Sequence, residues 1–448
     1  MSGNNVDSSW RSIFFVTFPI VLSNLSNAIM YNIDRVMVVA YSVDALNAVS
    51  ISGNLFTVFS FLFIGITDTA EVYVGQYNGA KNYDRLASPV WQMLYFSFIT
   101  TIVFFPIAYF SDTLNLLPSY YFDDGVIYQK IMMYGGPLFP MFTGLAAFFV
   151  GQGRAKIVTL SIICGSFLNI FLDYVLIYGV KGIVPCLGTA GAAFATIISQ
   201  AIQNMMLMIA LCSKENRKFT LRSCKFDKEV FFGCIKIGAP LSVSNFLVLL
   251  AWYFVQSIVA NISKEEATTY SISVSIYMLA ISLGEGLSKA TSTVIANLIG
   301  KNSLRETKIA YKKFLILSLI ASGFFVFPLS LFPDHCVFNF LGMLQEDISS
   351  IYETLRVTLH WISIDVVLES LLCIIWGVLV AGGDTVYPTI VYQSFIWGFV
   401  VLPTAIGYYC GYHGSTLLVY QLSFLWLCGS LTLFYKRYLS MRWYNKLV

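Results

Sequence analysis

The 448-residue chain has no G-x-x-x-x-G-K-[ST] loop, no H-E-x-x-H helix and no G-x-S-x-G elbow. Nucleotide-driven work, zinc-dependent hydrolysis and acyl-serine chemistry therefore lack their usual frameworks, and no enzyme is expected. Its nine Cys never fall as C-x-x-C, so the common zinc and dithiol spacings are missing too; Cys186, Cys336 and Cys410 are expected as free thiols at helix ends on one side. Charge is scarce: Asp, Glu, Lys and Arg make up 11% of residues, against about 25% in soluble domains. No Lys or Arg precedes Arg11, and the apolar run that follows is too long for a signal-peptide core, so no cleavable leader is expected.

What remains is apolar: 57% of residues are hydrophobic and the mean hydropathy is +0.73. Such a chain is an integral membrane protein, and its unit is the spanning helix of about 20 apolar residues. Twelve runs qualify, at 12–41, 51–76, 91–110, 131–150, 157–179, 188–212, 231–261, 268–299, 314–333, 355–381, 386–410 and 415–435. The expected fold class is all-α, a polytopic protein of twelve transmembrane helices. Lys and Arg gather in 77–90, 151–156, 213–230, 300–313 and 436–448, while the opposite side has only Lys130, Lys181, Lys264 and Arg356. The positive-inside rule then places the basic loops and both chain ends in the cytoplasm of a cell membrane. Topology accounts for the net charge of +3 without nucleic acid as a partner.

An internal repeat is also legible. Sliding 65–86 onto 284–306 pairs Gln76 with Asn297 and Gly79 with Gly300, each closing a long apolar helix before a basic loop. Gly151-Gln-Gly-Arg slides in the same way onto Ala381-Gly-Gly-Asp. Two lobes of six helices are expected, 1–220 and 221–448, as parallel repeats about an axis along the membrane normal with a cleft between them.

Charged side chains inside the apolar runs are few, and each needs a reason. Asp34 lies in the first run, where burial in hydrocarbon costs about 2.5 to 3.5 kcal/mol on insertion scales. Arg35 follows at once, but neighbours on a helix point about 100° apart, so it is better placed to serve another group. Asn169 and Asp173 are four apart and share a helix face. A carboxylate and an amide oxygen so placed can hold a hard cation such as Na+, or a proton, and Asp34 and Thr196 could complete the pocket. Asp365 and Glu369 are again four apart, and two stacked carboxylates in low dielectric cannot both ionise cheaply; they are candidates for a second proton or substrate site. Glu285 and Lys289 are spaced as an internal ion pair and are expected to neutralise each other. Asp68, the repeat mate of Lys289, is expected to reach it across the cleft in one state. Aromatic residues make up 16%, and a cleft lined by them suits flat, lipophilic cations.

Asp34-Arg-Val-Met-Val-Val, followed by Val43-Asp-Ala-Leu-Asn-Ala-Val, resembles the first-helix signature of the multidrug and toxin extrusion (MATE) family. The likeness continues through Gly75-Gln-Tyr-Asn-Gly-Ala-Lys, Gly151-Gln-Gly-Arg-Ala-Lys, Asn169-Ile-Phe-Leu-Asp-Tyr-Val-Leu-Ile-Tyr-Gly, Gly188-Thr-Ala-Gly-Ala-Ala-Phe and Ala381-Gly-Gly-Asp-Thr-Val-Tyr-Pro, over nearly the whole chain. The resemblance implies a monomeric secondary antiporter in the lipid bilayer that exports lipophilic, cationic small molecules, needing no cofactor beyond a coupling ion, H+ or Na+. It also implies a cation or proton site at Asp34, Asn169, Asp173 and Thr196, with Na+ as the metal candidate at the first three. Glu369 falls at the tenth-helix carboxylate of NorM-like members, whereas their seventh-helix Glu has no counterpart in 237–263. The alternative expectation is a flippase for lipid-linked oligosaccharide or polysaccharide. Its cleft should carry several cations, but outside the loops the chain offers only Arg35, Lys236 and Lys289.

Overall fold

Backbone amides inside hydrocarbon must be satisfied within their own segment, which leaves this chain little choice but helix. The computed structural model describes residues 6–113, 122–217, 219, 224–331, 352–411, 415–444 and 446–447. Among them, twelve helices are long and apolar enough to span a membrane: α1 (Trp10–Tyr41), α2 (Asp44–Gly79), α3 (Tyr83–Tyr109), α4 (Asp124–Gly151), α5 (Lys156–Tyr178), α6 (Gly188–Leu211), α7 (Lys228–Ala260), α8 (Glu265–Gly300), α9 (Leu304–Leu329), α10 (Tyr352–Ala381), α11 (Val386–Tyr409) and α12 (Thr416–Leu439). The expected lobe boundary at 220/221 and Cys336 lie outside the described residues.

Local chemistry sets the geometry that matters for function. Ser9 caps α1 by accepting from the Ser12 amide. Pro19 sits inside α1, and its carbonyl accepts from the hydroxyls of Thr159 on α5 at 2.7 Å and of Ser23 at 2.9 Å. Those two hydroxyls also bond each other at 2.8 Å, so α1 and α5 are pinned together along their length. The second span breaks at Thr69, where the helix ending at Asp68 gives way to one starting at Ala70. The Thr69 hydroxyl lies 2.6 Å from the Ile66 carbonyl and 3.1 Å from that of Cys234 on α7. In α11, a stretch of π-helix over Ile396–Val401 widens the turn ahead of Pro403.

Within the first six helices, α5 packs on α1 and α6; within the last six, α10 packs on α8, α9 and α12. Across the halves, α2 meets α7 and α8, and α1 meets α8. The close approaches gather toward the face that carries the basic loops. A Cβ on Gly79 would fall 1.9 Å from the Asn297 carbonyl oxygen, and one on Gly300 would fall 2.0 Å from that of Gln76. The repeat mates thus interlock reciprocally, each glycine admitting the partner helix's backbone. Asn78 Nδ2 donates to Asn297 Oδ1 at 2.7 Å, and Asn297 Nδ2 donates to the Gly151 carbonyl at 2.7 Å. The basic face is therefore closed by backbone contact and buried amides.

Substituting Ala at Gly79 or Gly300 has no room without parting α2 and α8, so overpacking of about 1 to 3 kcal/mol is expected. Thermal unfolding in detergent should show each variant melting about 1 to 3 °C below the parent. Gly323→Ala, where nothing lies within 4 Å of the new methyl, should hold or slightly raise the midpoint, because Ala is the better helix former.

Candidate ion and substrate sites

The packing of α1 on α5 brings Asp34 and Asp173 within electrostatic reach of each other. Asn169 and Asp173 are almost completely buried. No donor within the described residues satisfies Asp34 Oδ1, either Asp173 oxygen, or the amide oxygen and nitrogen of Asn169. Buried polar atoms left in this state are costly. Four of them are oxygens, the donor type that a hard cation takes, and a proton shared between the carboxyls would serve equally; the residues fit either ion. Arg35 does not cancel the charge by direct pairing: its guanidinium stands over the Tyr31 ring, 4.6 Å from the centroid. Thr196 is half-buried, and its hydroxyl donates to the Ala192 carbonyl of its own helix at 3.0 Å. Tyr128 of α4, which the sequence pattern does not single out, is buried within the electrostatic reach of both carboxylates.

A second constellation lies between the halves, in a cleft of about 650 Å3. Trp252, Tyr277, Trp376, Tyr392 and Trp426 line it, with Glu285 and Glu369 among them. The rings interlock edge-on, Tyr392 with Trp426 at 4.9 Å and with Trp376 at 5.4 Å between centroids. The Tyr392 hydroxyl donates to Glu369 Oε1 at 3.3 Å. A Cβ on Gly284 would lie 3.7 Å from Ser370 Oγ and Cys373 Sγ, so α8 and α10 touch there and bring Glu285 and Glu369 to the same region. Asp365, one turn along, does not line this cleft: it is fully buried, with both oxygens unsatisfied among the described residues, in the electrostatic reach of Tyr277 and Tyr420. Of the two candidates in the second half, Glu369 alone reaches the cleft.

At the inner end of the cleft, the break at Thr69 presents two carboxylates to α8. Lys289 Nζ lies 2.6 Å from Asp68 Oδ1 and 3.7 Å from Glu71 Oε2, and the Thr293 hydroxyl donates to Glu71 Oε1. The expected cross-cleft contact between Asp68 and Lys289 is present in this state. The expected pairing of Lys289 with Glu285 is not. Lys289 turns instead to two acids on the facing helix, and Glu285 points into the cleft, where water can solvate it. Spacing of i, i+4 permits a pair, but two carboxylates opposite outbid one alongside. Glu71, three residues past Asp68, carries a faint sequence signal; Thr293 carries none.

Helices, cleft and buried acids together define a multi-pass membrane transporter, with no sign of a soluble catalytic domain among the described residues. A family profile described as MatE matches residues 19–175 and 240–404. The chain belongs to the MatE family of multidrug efflux transporters. It is 29% identical over 448 residues to a protein named probable multidrug resistance protein YoeA of Bacillus subtilis (strain 168), covering 94% of each chain. It is 25% identical over 342 residues to the probable multidrug resistance protein NorM of Thermotoga maritima, covering 72% of this chain and 70% of that one. Among solved structures, an outward-facing multidrug resistance MATE family transporter of the MOP superfamily superposes with a TM-score of 0.84 at 18% identity, covering 99% of both chains. A MOP superfamily transporter from Pyrococcus furiosus gives the same score, identity and coverage. At that identity the likeness speaks for the fold.

If Lys289 belongs to Asp68 and Glu71, then Asp68→Lys and Lys289→Asp should each lower the melting temperature, and the double exchange should regain most of the loss. Glu285→Gln removes no ion pair and should leave the midpoint within about 1 °C, the scale of a surface change.

Proposed function

We propose that the chain is a secondary antiporter that exports lipophilic cations in exchange for H+ or Na+, by alternating access of the central cleft. The half-buried Asp34 and the buried Asp173, neither of them in an ion pair among the described residues, carry this reading. They demand a neutralising ion, and H+ or Na+ entering there removes the repulsion between α1 and α5. Such an ion drives a change of state only if its affinity differs between the two forms, since equal affinity shifts nothing. Bending or repacking of α1 around Pro19 would alter the Asp34–Asp173 separation and so supply that difference.

The cleft supports a cationic cargo. Its lining carries Asp68, Glu71, Glu285 and Glu369 against the single cation Lys289, which is already shared by two of the acids. Aromatic faces beside carboxylates attract organic cations. A pyrophosphate-linked glycan would meet repulsion in the same place, which ranks the flippase reading lower. The relatives named as multidrug resistance proteins point the same way. The basic face is assigned to the cytoplasm by the positive-inside rule, in keeping with a closed cytoplasmic side in this state. Asn169 and Thr196 are assigned to the ion site with the acid pair, and Asp365 and Glu369 to a second protonation or cargo site. The protein is proposed to act as a monomer.

In proteoliposomes loaded with ethidium or tetraphenylphosphonium, an imposed pH or Na+ gradient should drive substrate out through the parent protein. Asp34→Asn and Asp173→Asn should each reduce that flux to background while leaving insertion and the melting temperature intact. Parent-level efflux by both variants would overturn the assignment. Glu369→Gln should instead weaken substrate affinity about tenfold, the loss of about 1.4 kcal/mol of charge contact.

A further inference from the structure

The segments flanking the twelve helices cross between the halves on the closed basic face. Ahead of α1, Val6 is buried against the turn after α4: a Cβ on Gly153 would come 2.8 Å from Val6 Cγ2. Two residues on, the Ser8 carbonyl accepts from Lys313 Nζ of α9 at 2.7 Å, and the same ammonium stands 5.1 Å from the Trp10 ring centroid. Burial alone would raise the Asp7 carboxyl, but hydrogen bonds from Ser9 and the charges of Lys301 and Lys313 hold it below the usual carboxylate range. This segment belongs to the first half, and the two lysines it meets, Lys301 and Lys313, belong to the second.

The mirror arrangement follows α12. The chain turns at Met441, which has a φ of 57°, and buries Trp443 completely. Trp443 Nε1 donates to the Tyr438 carbonyl at 2.8 Å, and its ring stacks on Tyr438 at 5.5 Å. Its carbonyl oxygen lies where only a glycine fits: a Cβ on Gly382 would stand 1.7 Å away. Leu447 then flanks Gly383 together with Ile237 of α7, and its backbone N–H donates to Gln76 Oε1 at 2.7 Å. The amide nitrogen of the same Gln76 side chain donates to the Ala381 carbonyl at 2.9 Å. One amide thus ties the end of α2 to the end of α10 and to the segment beyond α12.

We propose that these two segments are clasps that hold the basic face shut, and that both must release before the halves can part there. The proposal rests on the alternating-access reading. Separation on this face would carry Gln76 away from Ala381 and Leu447, and Ser8 away from Lys313. None of these contacts is needed to span the membrane, because each lies outside the apolar core of its helix or beyond the last helix. Their geometry serves the closed state.

Pulsed electron spin resonance on labels at Lys81→Cys and Lys308→Cys, in a background freed of other thiols, measures the width of the basic face. Leu447→Pro deletes the N–H that reaches Gln76, Leu447→Val keeps it, and Lys313→Met removes the other clasp's donor. Against a parent with a minor long-distance population, Leu447→Pro and Lys313→Met should each raise that population about fivefold, the effect of one hydrogen bond. Leu447→Val should match the parent. Two populations whose ratio neither variant alters would overturn the clasps while leaving alternating access standing. A parent locked in one population under every ion and substrate condition would overturn both. Melting temperatures identify a variant that has merely failed to fold, and Lys313→Met keeps the test decisive if Leu447→Pro does so.

Discussion

Carboxylates placed in lipid cannot be ignored by the rest of the protein. Each must find a cation, a proton or water. Asp68 and Glu71 share Lys289 across the halves. Glu285 looks into the cleft, while Asp34 and Asp173 form no ion pair among the described residues. The pair without a lysine is the candidate ion site, and the paired acids tie the halves together. The difference between them is one lysine.

Around those charges the scaffold is built from contacts that can be undone. The halves meet where Gly79 and Gly300 admit opposing backbone carbonyls, and where Gln76, Asn78 and Asn297 exchange amide hydrogen bonds. Hydrogen bonds of this kind contribute about 1 kcal/mol each. Together with the glycine contacts they close the basic face in this state. Long helices such as α8 and α10 or α5 and α6 pack broadly inside each half, and α2 also meets α7 and α8 across the halves through the same apolar core.

Sequence patterning reached far into this site where the relevant distance was short. Asn169 and Asp173 share a face because they are four apart, and the Gln76/Asn297 and Gly79/Gly300 pairing came from internal similarity; the structure adds that the two pairs meet crosswise, Gly79 against Asn297 and Gly300 against Gln76. Where several partners competed for one group, patterning was a poorer guide. Lys289 had Glu285 on its own helix and two acids opposite, and only packing decided that the break at Thr69 turns those acids toward it. Thr196 illustrates the same limit: a hydroxyl bonds whichever carbonyl is nearest, and here that is Ala192. Asp365 and Glu369 look alike in sequence, yet one is sealed among Tyr277 and Tyr420 while the other lines the cleft.

The amino-acid sequence by itself determined that the chain lives in a membrane, crosses it twelve times, repeats itself and carries a handful of acids where lipid should be. Those properties are additive along the chain: hydropathy, loop charge and helical spacing need no knowledge of what packs against what. Tertiary structure alone decided which acids face one another, which has a lysine and which faces the cleft. Those are differences in distance between residues up to 371 positions apart, as from Gln76 to Leu447, and no local rule carries so far.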